Sequence, residues 1–289
     1  MVSLAVRAAD VPSIPMPPVS DVDASRRWYM SKPHPRVGWL VAAVLVVAVA
    51  ISIFVVATRG DGGLLAVSIG DSVAFDADPG IRAALESTGD IRVDTRSFGG
   101  VGLLRPGFDG YLAEALLNGP DVVLVMLGGW DLEKILADPD AYSQRLDQVA
   151  DRILDRGATV IWLGMPPTPP SEGIEEARGI ANAQFEALAT RRSGVFYLDS
   201  GGALGGPDGS FTRFRVGLAG VAVQVRKVRA GRDDGHLCPG GAALLGDMVL
   251  AALRTTFLVG EASDSWWEGD WTSDARYDDP PGGCEASTG

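Results

Sequence analysis

A chain of 289 residues, 46% hydrophobic and 21% charged, can bury one substantial core and is not disordered as a whole. Its formal net charge of −12, with no basic stripe, excludes nucleic acid as a partner, because that needs clustered Lys and Arg. Two Cys and two His, one of them ahead of a long apolar run, give no convincing metal site, so neither a metal nor another cofactor is expected.

Residues 1–36 carry Pro12, Pro15, Pro17 and Pro18 among small and charged residues, without a helix or strand period, and are expected to be disordered. Val37 to Thr58 follows, 22 residues with no charge between Arg36 and Arg59. At ~1.5 Å per residue such a run reaches roughly 33 Å, enough to span a bilayer. Arg26, Arg27, Lys32 and Arg36 precede it and only Arg59 follows before Asp61. The positive-inside rule therefore predicts a single-pass cell-membrane anchor with a cytoplasmic N-terminus and everything from Gly60 onward outside. A small-residue sequence at Val55-Val56-Ala57 leaves a cleaved signal peptide as the alternative, but the long leader favours an uncleaved anchor.

Residues 61–260 alternate apolar runs with amphipathic stretches. Strands are predicted at Leu64 to Ile69, Ile91 to Phe98, Val122 to Leu127, Thr159 to Leu163 and Val195 to Leu198. Helices are predicted at Asp76 to Ser87, Phe108 to Leu117, Asp140 to Asp155, Ser171 to Thr190 and Pro239 to Thr255. This alternation implies an α/β domain of three α/β/α layers, with a parallel sheet of about five strands. A 2-1-3-4-5 strand order would bring the loops after strands 1, 2 and 3 to one switch point. Gly201 to Arg232 is expected to cross the top of the sheet as a hairpin or lid. Residues 261–289, acidic with Trp266, Trp267 and Trp271, are expected to form a mostly solvated tail, with docking of the Trp rings as the alternative.

The first strand stops at Ile69-Gly70-Asp71-Ser72, which places the Ser72 hydroxyl at a strand-to-helix turn, where reactive groups sit in open α/β sheets. Ser and Asp are also preferred helix caps, so the turn alone does not assign chemistry. A nucleophilic Ser needs a base, and His236 is the only imidazole on the same side of the anchor. Asp233 lies three residues before His236, so that one turn of chain would bring its carboxylate to the far ring nitrogen.

Ile69-Gly70-Asp71-Ser72, the Gly-rich Ser97-Phe98-Gly99-Gly100-Val101-Gly102, Leu127-Gly128-Gly129-Trp130-Asp131 and Asp233-Asp234-Gly235-His236 occur in the order of the four blocks of the SGNH (GDSL-type) hydrolases, which the chain resembles. The resemblance implies a flavodoxin-like fold and metal-free ester cleavage, with Ser72 as nucleophile, His236 as base and Asp233 as its orienter. Asp234 is the alternative orienter. The oxyanion hole would be formed by the N–H groups of Ser72 and of Gly100, with Gly102 second, glycine letting the backbone approach a substrate with no Cβ in the way. Asp71, Trp130, Asp131 and Asp234 are the remaining candidates for the substrate pocket.

The third block departs from the family pattern, since Trp130 stands where an Asn amide is usual, and a lost oxyanion donor typically costs about 10²–10³ in turnover. In this block the chain resembles the SGNH domains attached to bacterial envelope acyltransferases. That likeness implies an acyl-ester substrate on an envelope polysaccharide or glycolipid, and an esterase, deacetylase or acyl transferase. A catalytically silent binding or assembly protein with the same fold is the alternative. Cys238 and Cys284 are a candidate disulfide, which in an oxidising compartment could tie the tail beside the His loop, and the sequence leaves open whether they pair.

Overall fold

The computed structural model describes residues 63–285, so the expected cytoplasmic segment (1–36) and transmembrane anchor (37–58) lie outside the described residues, as do positions 286–289. Among the described residues no helix is long and apolar enough to cross a membrane. The order is β1 (Leu64–Gly70), α1 (Ser72–Glu86), β2 (Ile91–Thr95), α2 (Phe108–Ala115), β3 (Val122–Met126), α3 (Leu132–Ala137), α4 (Pro139–Leu154), β4 (Thr159–Leu163), α5 (Glu175–Arg191), β5 (Val195–Leu198) and α6 (Ser200–Leu204). Four short strands follow: β6 (Phe214–Val216), β7 (Ala222–Gln224), β8 (Arg226–Arg229) and β9 (Arg232–Leu237). Helix α7 (Pro239–Thr256) and three 3₁₀ turns, Trp266–Glu268, Asp270–Ser273 and Ala275–Asp278, complete the described chain.

Strands β1 to β5 form one parallel sheet in the order β2-β1-β3-β4-β5. Its central strands are apolar on both faces, as a sheet covered twice requires. Val67, Ile69, Val123, Val125, Val160 and Trp162 face one core layer, with Leu112 of α2, Ile135 of α3, Leu146 and Val149 of α4 and Phe185 of α5. The alternate residues Ala66, Leu124, Met126, Ile161 and Leu163 face the other layer, with Ala77 and Ile81 of α1 and Leu245, Val249 and Leu253 of α7. Each of the larger side chains among these, buried in full, stabilises the fold by about 1.5–3 kcal/mol. Helices α1 and α7 approach closely because Gly80 has no Cβ, which would lie 2.4 Å from the Ala242 carbonyl carbon.

The expected crossing segment after β5 is built as two antiparallel pairs, β6 with β7 and β8 with β9. Residues 261–285 depart from the expectation of a solvated tail. Trp266 and Tyr277 are buried, and Trp266, Trp267 and Trp271 pack against the α1–α7 layer. The segment has no helical period because its anchors are single aromatic residues and polar ties rather than a continuous apolar face. A disulfide between Cys238 and Cys284 fastens its end just after His236.

The same segment repairs a defect in α1. Pro79 stands inside this helix and has no N–H to give to the carbonyl of Phe75, four residues earlier. The Arg276 guanidinium donates to that carbonyl and stacks 4.0 Å from the Phe75 ring, while the Tyr277 hydroxyl donates to the Asp76 carbonyl at 2.9 Å.

Candidate active site

The direction of the sheet order reverses between β1 and β3, and the loops at their carboxyl ends define the site. Ser72 is the first residue of α1 and Asp71 its cap. The Asp71 N–H donates to the Met126 carbonyl at 3.3 Å, fixing the turn to the end of β3, and its carboxylate accepts the Val73 N–H at 3.0 Å. Asp71 also accepts from the Gly129 N–H, yet burial outweighs these donors and pushes its carboxyl up to about 6. As a first-turn residue, Ser72 presents its N–H and the positive end of the α1 dipole outward from the helix.

The Gly-rich turn runs past Ser72, and a Cβ added at Gly99 would lie 3.9 Å from the Ser72 Cβ. Gly100 has φ of +90°, a left-handed conformation that favours glycine, and its carbonyl accepts from Arg105 Nη1 at 3.0 Å. Asp131 is fully buried, and its carboxylate accepts the N–H groups of Leu103 at 2.6 Å and Leu104 at 3.2 Å. It therefore anchors the turn from beneath and is not a pocket wall. Gly102 leaves room for that anchor, since a Cβ there would fall 2.8 Å from Asp131 Oδ1. Trp130 also differs from the expectation of a pocket residue. It is 51% exposed, lies outside the cleft lining, and has the Arg105 guanidinium 4.6 Å from its ring centroid.

His236 lies on β9, and here the structure corrects the expected pairing. Asp234 Oδ1 lies 2.6 Å from His236 Nδ1 and accepts the His236 backbone N–H at 2.8 Å, while Oδ2 accepts from Arg229 at 2.7 Å. Asp233 instead pairs with Arg213 at 2.6 Å. A spacing of three suits a helical turn, whereas in a strand residues two apart share a face, so Asp234 and not Asp233 accompanies His236. The hydrogen bond to Asp234 raises the His236 pKa above its usual 6.5, against partial burial. Burial opposes ionisation of Asp234, but the hydrogen bonds from His236 and Arg229 prevail and hold its carboxyl below the usual range.

Asp71 and Val73, on either side of Ser72, line a cleft of about 120 Å³ together with Gly129, Leu132, Met165, Thr168, Glu172, Ile174, Gly235 and His236. The wall formed by the β4–α5 loop was not singled out in the sequence, although its position at the carboxyl end of a parallel strand was a signal for it. That loop is tied to the His strand, for Glu172 accepts the Gly235 N–H at 2.7 Å. Arg226, fully buried on β8, donates to the carbonyls of Gly235 and Pro167. Among the described residues no cluster of side chains suited to a metal ion occurs.

Residues 66–252 match the model of a family described as "Protein of unknown function (DUF459)". No curated protein matches the chain. Among solved structures, the fold is similar to a G-D-S-L-family protein from Desulfitobacterium hafniense, at 15% identity and a TM-score of 0.50, covering 66% of this chain and all of that one (100%). A GDSL-like lipase from Bacteroides thetaiotaomicron matches at 11% identity and a TM-score of 0.48, over 67% of this chain and 89% of that one. The catalytic domain of the peptidoglycan O-acetyltransferase A of Streptococcus pneumoniae matches at 17% identity and a TM-score of 0.44, over 70% of this chain and 99% of that one. The fold is that of the SGNH (GDSL-type) hydrolases, and the chain belongs to the family of proteins of unknown function designated DUF459.

Proposed function

We propose that the protein is a membrane-anchored, extracytoplasmic serine esterase or deacetylase, or an acyl transferase, acting on an acyl ester of an envelope glycan. The observation that carries this reading is the Asp234–His236 pair, whose ring shares a cleft with the residues flanking Ser72. With Nδ1 held by Asp234, Nε2 is the nitrogen left to take the Ser72 proton. Ser72 Oγ attacks the acyl carbon as its proton passes to His236, and the Ser72 and Gly100 N–H groups receive the oxyanion. Collapse expels the alcohol, which takes its proton from His236. Water, or a sugar hydroxyl in a transferase, then gives a proton to His236 as it attacks the acyl-enzyme, and the Ser72 oxygen leaves with that proton returned from His236, so that the acid or the new ester departs and Ser72 is regenerated.

The glycan, the anchor and the extracytoplasmic location rest on the sequence pattern: the apolar run 37–58, its flanking charges and the third-block resemblance. The cysteine pair accords with an oxidising compartment. The test is fluorophosphonate labelling of the purified full-length protein with peptide mapping, alongside hydrolysis of a short-acyl nitrophenyl ester. Label on Ser72, and loss of both signals in a folded Ser72→Ala variant, is the expected result. One observation favours the silent binding protein, namely Trp130 in the usual place of the Asn donor. An unlabelled Ser72, or equal hydrolysis by wild type and Ser72→Ala, would establish that reading instead.

A further inference from the structure

We propose that Asp76 is a positioning residue that sets Ser72 against His236, through a buried brace made with Lys227 and the C-terminal segment. The proposal rests on the serine-esterase reading above. Asp76 lies one turn after Ser72 on α1, and its carboxylate accepts the N–H of Leu237, the residue next to His236, at 3.1 Å. One side chain thus joins the helix that carries the nucleophile to the strand that carries the base, across 161 residues of sequence.

The brace is closed by a buried cation. Lys227 Nζ lies 3.1 Å from Asp76 Oδ2, and the two side chains are only 3% and 4% exposed. Its other donors go to the C-terminal segment, to the carbonyls of Arg276 at 2.7 Å and Asp279 at 3.1 Å. From the same segment the Tyr277 hydroxyl reaches the Asp76 carbonyl. Val228 N–H donates to the Gly283 carbonyl at 2.8 Å, next to the cysteine bound to Cys238.

A buried ion pair is a poor source of net stability, since apolar residues of similar size often do as well. Its use here is directional. A carboxylate holding two N–H donors permits little rotation, and both donors belong to the β8–β9 hairpin that carries His236. A displacement of about 1 Å between reacting groups costs on the order of 10²-fold in rate.

The experiment compares wild type, Asp76→Asn, the double variant Asp76→Ala/Lys227→Met and Tyr277→Phe in the full-length protein. The double variant removes both buried charges, so that neither is left unpaired. Thermal unfolding and near-UV circular dichroism establish which variants are folded. In the folded ones kcat on a short-acyl nitrophenyl ester is expected to fall about 10- to 100-fold for the Asp76 changes and less for Tyr277→Phe, with KM nearly unchanged. The rate of fluorophosphonate labelling at Ser72 should fall by the same factor.

Asp76→Asn adds a readout that a merely structural role would not move. His236 is faced by Asp234 from its own strand, Asp71 from the cap of α1 and Asp76 from α1 itself, Glu172 from the β4–α5 loop and Lys227 from β8, with Arg229 held on Asp234. The Asp76 charge favours the imidazolium and Lys227 opposes it. Removing Asp76 alone should therefore move the acid limb of kcat/KM to lower pH. Folded Asp76 variants with wild-type kcat, labelling rate and acid limb would overturn the proposal, whatever their melting temperature. If the double variant does not fold, Asp76→Asn decides by the same criteria. An inactive, unlabelled wild type is a distinct outcome, which refutes the esterase reading and removes the brace's catalytic role with it.

Discussion

Replacing Asp234 by Asn tests the orientation of the base with a change of one atom. Asp234 makes three contacts, with His236 Nδ1 at 2.6 Å, the His236 N–H at 2.8 Å and Arg229 at 2.7 Å. An Asn oxygen can still accept the backbone bond. If the amide turns its NH₂ toward Nδ1, the ring takes the tautomer with its proton on Nε2, which cannot accept from Ser72. The expected loss in kcat is on the order of 10⁴, as for amidating the orienting carboxylate of such a triad. The imidazolium also loses its hydrogen-bonded counter-charge, so the acid limb of kcat/KM should move down from its raised position toward or below the usual 6.5.

Stability follows with a defined sign. Asp234 has a lowered folded pKa, so its contribution is present above 3.8 and is lost as pH falls through the lower folded value. His236 has a raised folded pKa, so its contribution is full below 6.5 and is lost as pH rises through the higher folded value. Wild type should exceed Asp234→Asn most between 3.8 and 6.5, by about 1.5–3 kcal/mol for a charged hydrogen bond. Asp233→Asn is the matched comparison. Its partner Arg213 and Asp233 itself are 38% and 40% exposed, and such pairs are worth about 1 kcal/mol or less. Its kcat should equal that of wild type. Steady-state ester hydrolysis from about pH 5 to pH 9, with urea unfolding from about pH 2 to pH 9, measures all of this. A larger loss in Asp233→Asn, or an unmoved acid limb in Asp234→Asn, would refute the assignment of Asp234 as orienter.

Gly102→Ala places a Cβ against the Asp131 carboxylate that anchors the Gly-rich turn, and, if that turn serves the proposed reaction, should lower kcat by about 10- to 100-fold in ester hydrolysis with a small change in melting temperature. Trp130→Phe keeps a ring beneath Arg105 and should alter turnover less than threefold or so, whereas Trp130→Ala releases the guanidinium that holds the Gly100 carbonyl and should slow it several-fold more. Acyl-chain preference should be unchanged in both, because Trp130 does not border the cleft, and a chain-length series reads this directly. Cys284→Ser opens a loop of 46 residues and should cost about 2–4 kcal/mol by urea unfolding. Asp78, buried under the Ser68 and Ser97 hydroxyls, has its carboxyl pushed up by burial from 3.8 to about 7. Its ionisation therefore destabilises the fold as pH rises through that interval, and Asp78→Asn should be the more stable protein at pH 8, by up to about 4 kcal/mol, with the gain vanishing at pH 4.

The parallel sheet was legible because β1, β3 and β4 are short apolar runs bounded by turn residues, and the alternation with helices leaves few topologies. The start of α1 was less so. The amphipathic pattern predicts a helix from Asp76, whereas the Asp71 cap starts the helix at Ser72. A cap and a turn residue have the same composition, and only the accepted Val73 N–H separates them. The docked C-terminal segment was illegible for a different reason. Its ties to α1 and β8 are single polar contacts across long separations, such as Tyr277 to Asp76, and these leave no period in the sequence.

The site was legible at the level of residue type and not of register. Ser72, His236 and the Gly-rich turn were marked by order along the chain and by the scarcity of imidazole. The choice between Asp233 and Asp234 depended on whether the chain there is extended or helical, and nothing local decides this, because Asp-Asp-Gly favours neither. What decides it is the antiparallel pairing of β9 with β8, turned at Ala230 and Gly231, both with positive φ. That hairpin is in turn held by Arg226 and Lys227, two adjacent buried cations that a sequence reading assigns to solvent by default. Their burial is the cost of fixing a short two-stranded element that would be marginal alone, and its register is what directs Asp234 toward the ring and Asp233 toward Arg213.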